Sequence, residues 1–202
     1  MSKAVEHSTT FIELLSQRDE TAYLKYMEDH QDFYNIPNVY GWTPLKSACY
    51  YDLKNIVFKL LDKNVDINLE IDTYVRTTLM YAVTHCNSND ILIELIRRGA
   101  NVNYKNRHDE SALVVALLLT MYAEKAIILI RAGAEFIDLI DDHIVKYNNH
   151  KVMKYIRNIY QQKIIAVIDA ERTDKSDDNA MATSFRTTYA VGVVDIISEF
   201  II

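Results

Sequence analysis

Proline and glycine are nearly absent from this sequence, with two prolines and four glycines in 202 residues. A β-sandwich or barrel reverses direction too often for so little turn punctuation, so helices joined by short, repeated connections are expected. Cysteine is equally scarce. Cys49 and Cys86 form no CxxC pair and allow one disulfide at most, which excludes a disulfide framework and favours reduced thiols in a cytosolic protein. An excess of positive charge is missing as well. Twenty-two Lys and Arg against 28 Asp and Glu give a net charge of −6, which lacks the basic footprint of a phosphate-backbone binder, so no nucleic-acid partner is expected. No long unbroken apolar run exists. The most apolar stretch, ALVVALLLTMYAEKAIILI (112–130), is interrupted by Glu124 and Lys125 and reads as a buried helix pair, with no membrane partner. The opening MSKAVEHSTTFIELL has no apolar h-region, so no secretory signal is expected and the location is expected to be cytoplasmic.

Catalytic motifs are also missing. There is no GxGxxG and no GxxxxGK[ST], so nothing cradles a phosphate. His85-Cys86 is the nearest approach to a metal or nucleophile site, but zinc needs four convergent ligands and none nearby completes the set. Adjacent residues on a helix also point apart, which works against a Cys–His catalytic pair. Asp141-Asp142-His143 reads as a charged helix start. Asp177-Asp178 lies in a polar stretch with no dry site to raise a carboxyl pKa. HSTTFIELL (7–15) has the pattern of a helix N-cap. Lys151, Lys154, Arg157 and Lys163 read as solvated charges opposite an apolar stripe. No enzyme, no cofactor and no metal are expected.

What is present is a repeat. Leu45, Leu79 and Leu113 stand 34 residues apart, as do Ala48, Ala82 and Ala116. Behind them align KLLDKNVDIN (59–68), ELIRRGANVN (94–103) and ILIRAGAEFI (128–137), with Gly99 and Gly133 at the same period. A unit of two amphipathic helices with this period buries its face only against neighbouring units. Thr43 can cap a helix while Pro44 takes its first position, where a missing N–H costs nothing. Gly99 and Gly133 follow helical runs and can end them in the left-handed conformation. Gly41 serves a turn at the start of its unit.

The segment NVYGWTPLKSACYYDLKNIVFKLLDKNVDIN (38–68) resembles the ankyrin repeat, whose consensus pairs G-x-T-P-L-H-x-A-A with L-L-x-x-G-A-D-V-N. The second unit, DTYVRTTLMYAVTHCNSNDILIELIRRGANVN (72–103), keeps Thr77, Leu79, Ala82 and GANVN, with Thr78 for Pro, Val75 for Gly and one extra residue between its helices. The third unit (106–137) is looser, with Ser111-Ala112-Leu113 in place of Thr-Pro-Leu. The resemblance implies an all-α ankyrin-repeat solenoid with a C-terminal helical extension. Its parts are expected to be N-terminal capping helices (1–37), three repeats (38–137), C-terminal capping helices (138–170), a polar linker (171–186) and a docked apolar segment (187–202). Within the first part, TTFIELLSQRDETAYLKYMEDH (9–30) reads as two short helices with Phe11, Leu14, Leu15, Tyr23, Leu24 and Met27 facing inward.

In the ankyrin family partner choice lies at variable positions on the repeat tips and inner-helix ends. Those positions here are Val39, Tyr40, Trp42, Tyr50 and Tyr51, then Thr73, Tyr74, Arg76, Thr84 and His85, then Arg107, His108, Glu110, Leu118 and Leu119. With Gly replaced at Val75 and Asp109, the second and third tips are expected to depart from normal hairpin shape. Two readings of Trp42, Tyr50 and Tyr51 stay open: contact with a protein partner, or packing on the N-terminal helices or the C-terminal segment. Leu118 and Leu119 are expected to receive the returning segment 187–202. The implied function is non-enzymatic binding that masks or recruits a protein. The eroded consensus and the Ile/Asn/Tyr/Lys-rich usage resemble ankyrin proteins of large DNA viruses, phages and intracellular bacteria, which act as effectors or inhibitors in a host cytosol. Alternatives are a toxin-neutralising immunity protein, or an oligomeric adaptor assembled through residues 187–202, so that the chain is a monomer or a homodimer.

Overall fold

The computed structural model describes residues 2–69, 76–118, 120–139, 144, 146 and 148–173. Chain contacts divide it into two compact units, between Phe136 and Ile137. Among the described residues there is no β-strand. The first unit holds helices α1 (Lys3–Gln17), α2 (Glu20–Asp29), α3 (Pro44–Tyr50), α4 (Lys54–Asp62), α5 (Thr78–His85), α6 (Asn89–Arg97), α7 (Ala112–Leu117) and α8 (Ala123–Arg131). They pair as α1/α2, α3/α4, α5/α6 and α7/α8. Inner helix packs on inner helix along α1–α3–α5–α7, and α6 packs on both α4 and α8. The second unit contains a short 3-10 turn at Ile137–Leu139 and α9 (His150–Thr173), which runs past residue 170, where the helical extension was expected to end. Ile144, Val152 and Ile156 are its fully buried side chains among the described residues. The expected docked segment 187–202 lies outside the described residues.

The 34-residue period acts through three local devices. The first is a hydroxyl at the start of each inner helix. Thr43, Thr77 and Ser111 accept from the backbone N–H of Lys46, Met80 and Val114 at 3.1, 3.2 and 3.2 Å, which satisfies donors the helix leaves open. The second is a small residue where inner helices meet: Ala48, Ala82 and Ala116 are completely buried. The third is a left-handed residue after each outer helix, at Asn64 (φ 54°), Gly99 (φ 94°) and Gly133 (φ 92°). Asn64 fills the role that glycine fills in the next two units, because asparagine tolerates this region better than other side chains.

Consecutive units are stapled by asparagines. Asn68 accepts from the Asn101 N–H at 2.8 Å and donates to the Gly99 carbonyl at 2.9 Å. Asn103 repeats both bonds one unit on, with the Glu135 N–H at 2.9 Å and the Gly133 carbonyl at 3.1 Å. Between units two and three an ammonium does the same work. Lys125 on α8 is buried and donates to the carbonyls of Ala82, Val83 and Cys86, the open acceptors at the end of α5. Burial pushes its pKa down from the usual lysine range.

The N-terminal pair differs from its expected start. The HST stretch is not an N-cap: α1 begins at Lys3, capped by Ser2. Ser8 is inside the helix and buried, its hydroxyl donating to the Ile36 carbonyl at 2.6 Å. Phe11, Leu15, Tyr23 and Met27 are buried as expected, while Leu14 and Leu24 are half-buried.

A Cβ at Gly99 meets no atom within 4 Å, so Gly99→Ala pays only backbone strain at φ 94°. It is expected to cost about 1–2 kcal/mol in denaturant unfolding, with Gly99→Asn costing less. On the outer helices, hydrogen bonds from Arg97 and then Arg98 hold the Glu94 carboxyl at about 2, below its ordinary 4.5. A depressed carboxyl adds stability that is present above pH 4.5 and disappears as pH falls toward 2. Unfolding midpoints of Glu94→Gln should therefore fall less steeply with pH across that window than those of the parent chain.

Candidate functional site

The first tip is built by one asparagine. Asn38 Oδ1 accepts from the backbone N–H of Tyr40 and of Trp42, both at 3.0 Å, and its own N–H donates to the Trp42 carbonyl at 2.8 Å. Gly41 at φ 76° closes the turn. This presents Val39 and Tyr40 to solvent, Tyr40 being 80% exposed, and turns Trp42 half inward.

The third tip keeps the same form, against expectation. Asn106 Oδ1 accepts from the N–H of His108 and of Glu110 at 3.0 Å each, and its N–H donates to the Glu110 carbonyl at 3.0 Å. Asp109 adopts φ 59° where Gly41 adopts φ 76°, because a short polar side chain can occupy the left-handed region. Arg107 and His108 are exposed at this tip. Arg76 reaches the third tip from the second, with its guanidinium 3.7 Å from Glu110. Thr73, Tyr74 and Val75 lie outside the described residues, as does Leu119; Leu118 is half-buried. Docking of segment 187–202 on these leucines also falls outside them.

The remaining expected residues converge on the inner helices. Tyr50 is the hub. Its ring centroid lies 5.3 Å from Trp42, 5.1 Å from Tyr51 and 4.6 Å from His85, with the first two edge-on. Tyr81, on α5, completes the group at 5.1 Å from Trp42, 5.8 Å from Tyr50 and 5.4 Å from His85. Offset and edge-on ring pairs at such distances are favourable beyond the area they bury. Sequence reasoning missed Tyr81, although its place four residues before His85 puts both on one helix face. The rings therefore pack on each other across two units while Tyr50 stays 40% exposed. Trp42, Tyr50 and Tyr51 also border a cleft against α1.

His85 contributes a ring rather than a charge. Burial, and then the positive charges of Arg76 and Lys125, push its pKa below the usual 6.5. Its Nδ1 sits 2.7 Å from the Thr84 hydroxyl, and the Thr84 carbonyl accepts from the Tyr122 hydroxyl at 3.1 Å. Its neighbour Cys86 is buried, and its Sγ donates to the Cys49 carbonyl at 3.3 Å. Cys49 is also a free, buried thiol, pushed well up in pKa by its hydrogen bond with Cys86 and by burial. A thiol held in that form is a poor nucleophile. Among the described residues no group of three His, Cys, Asp or Glu is placed to hold a metal ion. No helix among them is long and apolar enough to cross a membrane.

The family model described as "Ankyrin repeats (3 copies)" matches residues 3–106, just over half of the chain. The match takes in the N-terminal helix pair and stops at Asn106, where the third tip begins. No curated protein matches the chain.

An NMR titration checks the state of the ring group. His85 is expected to titrate below 6.5, and Arg76→Gln is expected to move it back up, because one of the opposing positive charges is gone.

Proposed function

Because the chain belongs to the ankyrin-repeat family, whose repeats are generally protein–protein interaction modules, we propose that it binds a partner protein through the inner-helix face of α3 and α5 and masks or recruits it. The observation that carries this reading is the ring group of Trp42, Tyr50, Tyr51, Tyr81 and His85, continuous across two units and partly open to solvent. Tryptophan and tyrosine bury much area for few rotatable bonds and dominate interface energetics. A stable framework beneath them means little ordering remains to be done on binding. Tyr40 and the Arg76–Glu110 pair flank the group and supply a polar rim. The action is steric rather than catalytic, and its setting is the cytosol, as an effector or inhibitor of a host protein. A net charge of −6 favours a basic partner.

The test is affinity purification from the native host, followed by measured binding of the protein recovered at fixed stoichiometry. Trp42→Ala and Tyr51→Ala are each expected to weaken that binding by about 2 kcal/mol, near thirtyfold, with the helical circular dichroism retained. A double variant that folds and binds normally removes the inner-helix face from consideration.

A further inference from the structure

Beside the ring group, between α1 and the first repeat, lies a cleft of about 370 Å³. That is the small end of the range for ligand pockets, suited to one extended side chain rather than a folded element. Trp42, Tyr50 and Tyr51 line one side; Ile12 and Glu13 of α1 lie on the other. Ser47 also lines it. Its hydroxyl is buried, the residue being 1% exposed, and has no hydrogen-bond partner among the described residues. Native proteins rarely leave a buried hydroxyl unpaired. The other hydroxyls along the α1 wall are satisfied locally: Thr9 donates to the Val5 carbonyl at 2.8 Å and Ser16 to the Glu13 carbonyl at 2.6 Å. Ser47 is thus the exception: its hydroxyl is buried in the wall of the cleft without a partner among the described residues.

The Glu13 carboxylate is exposed and has no cation paired with it among the described residues. Arg18, just past the end of α1, does not pair with Glu13 but donates to the Tyr51 carbonyl at 2.8 Å. Aromatic faces, one unpaired carboxylate and one unpaired acceptor hydroxyl form a set that matches a planar cation. We propose that this cleft receives a single arginine side chain of the partner protein, an inference that rests on the inner-helix reading above. The guanidinium stacks on the Trp42 and Tyr50 rings, donates to Glu13, and donates to Ser47 Oγ once a χ1 rotation turns that hydroxyl from the wall into the cleft. Lysine matches less well, since its ammonium is a compact, strongly hydrated point charge without a plane to stack. The acidic balance of the chain favours the same sign of ligand.

Trp42 is the only tryptophan, so its fluorescence and its indole N–H resonance report directly on the cleft. The full chain is titrated, at matched ionic strength, with arginine blocked as its N-acetyl amide, and with the blocked amides of lysine and citrulline. Saturable binding of the arginine amide in the millimolar range is expected, with no saturable response to citrulline, which keeps the shape and loses the charge. The lysine amide should bind about tenfold more weakly, and Glu13→Gln and Ser47→Ala should each weaken arginine binding by about tenfold. No saturable response to arginine, equal response to citrulline, or unchanged binding by folded Glu13→Gln overturns the proposal. So does an altered Trp42 signal in Arg186→Gln without ligand, because the occupant is then the chain's own C-terminal segment. A purified partner that needs Trp42 and Tyr51 but ignores Glu13→Gln and Ser47→Ala overturns the arginine site and leaves the interaction face standing. Indifference to all four substitutions removes both.

Discussion

An α-helix of six to eight residues does not persist in water, because the cost of nucleating it is recovered only over longer runs. The inner helices α3, α5 and α7 have seven, eight and six residues. Each therefore exists only while its neighbours cover it, and that dependence organises the first unit of the molecule. It accounts for an alanine at every inner-helix contact, a hydroxyl at each inner-helix start and an asparagine reaching across each loop. Residues spent on stacking are not available for recognition. What a partner can read is restricted to the positions in between, and there the aromatic residues gather.

The surfaces divide by chemistry. Ion pairs collect on the outer helices, where Arg98 bridges Asp62 and Glu94 and Lys54 pairs with Asp90. Exposed pairs of this kind contribute little to stability and keep that side hydrated. On the inner helices burial pushes the histidine pKa down and its ring packs on the tyrosine rings beside it. A hydrated outer side and a ring-lined inner side give the unit one face that is easily stripped of water and one that is not.

The parts of this arrangement that were legible in the sequence are those decided within a few residues. The leucine and alanine period, the capping hydroxyls and the left-handed glycines are local chemistry repeated three times, and repetition exposes them. Distance hid the rest. Ser8 looks like a cap until its hydroxyl is found on Ile36, 28 residues away. Tyr81 occupies a position that holds Ser47 in one unit and Val115 in the next, so no period marks it. Asp109 was expected to spoil its turn and instead takes the conformation of Gly41, because the backbone angle rather than the residue name decides the shape. The unpaired hydroxyl of Ser47 is a property of its surroundings and leaves no trace in the string of letters.

Lys125 carries a consequence for how such an array can change. At its place in the outer helix the two preceding units carry Ile56 and Ile91, both fully buried. Among the described residues the ammonium has its hydrogen-bond partners at the carbonyl end of α5. A copy of the third unit inserted elsewhere, or a deletion that brings it against the first, would bury that charge without the geometry that satisfies it. Repeats that look interchangeable by period are thus keyed to a fixed order, and the chain can drift at its tips far more freely than it can gain, lose or shuffle whole units.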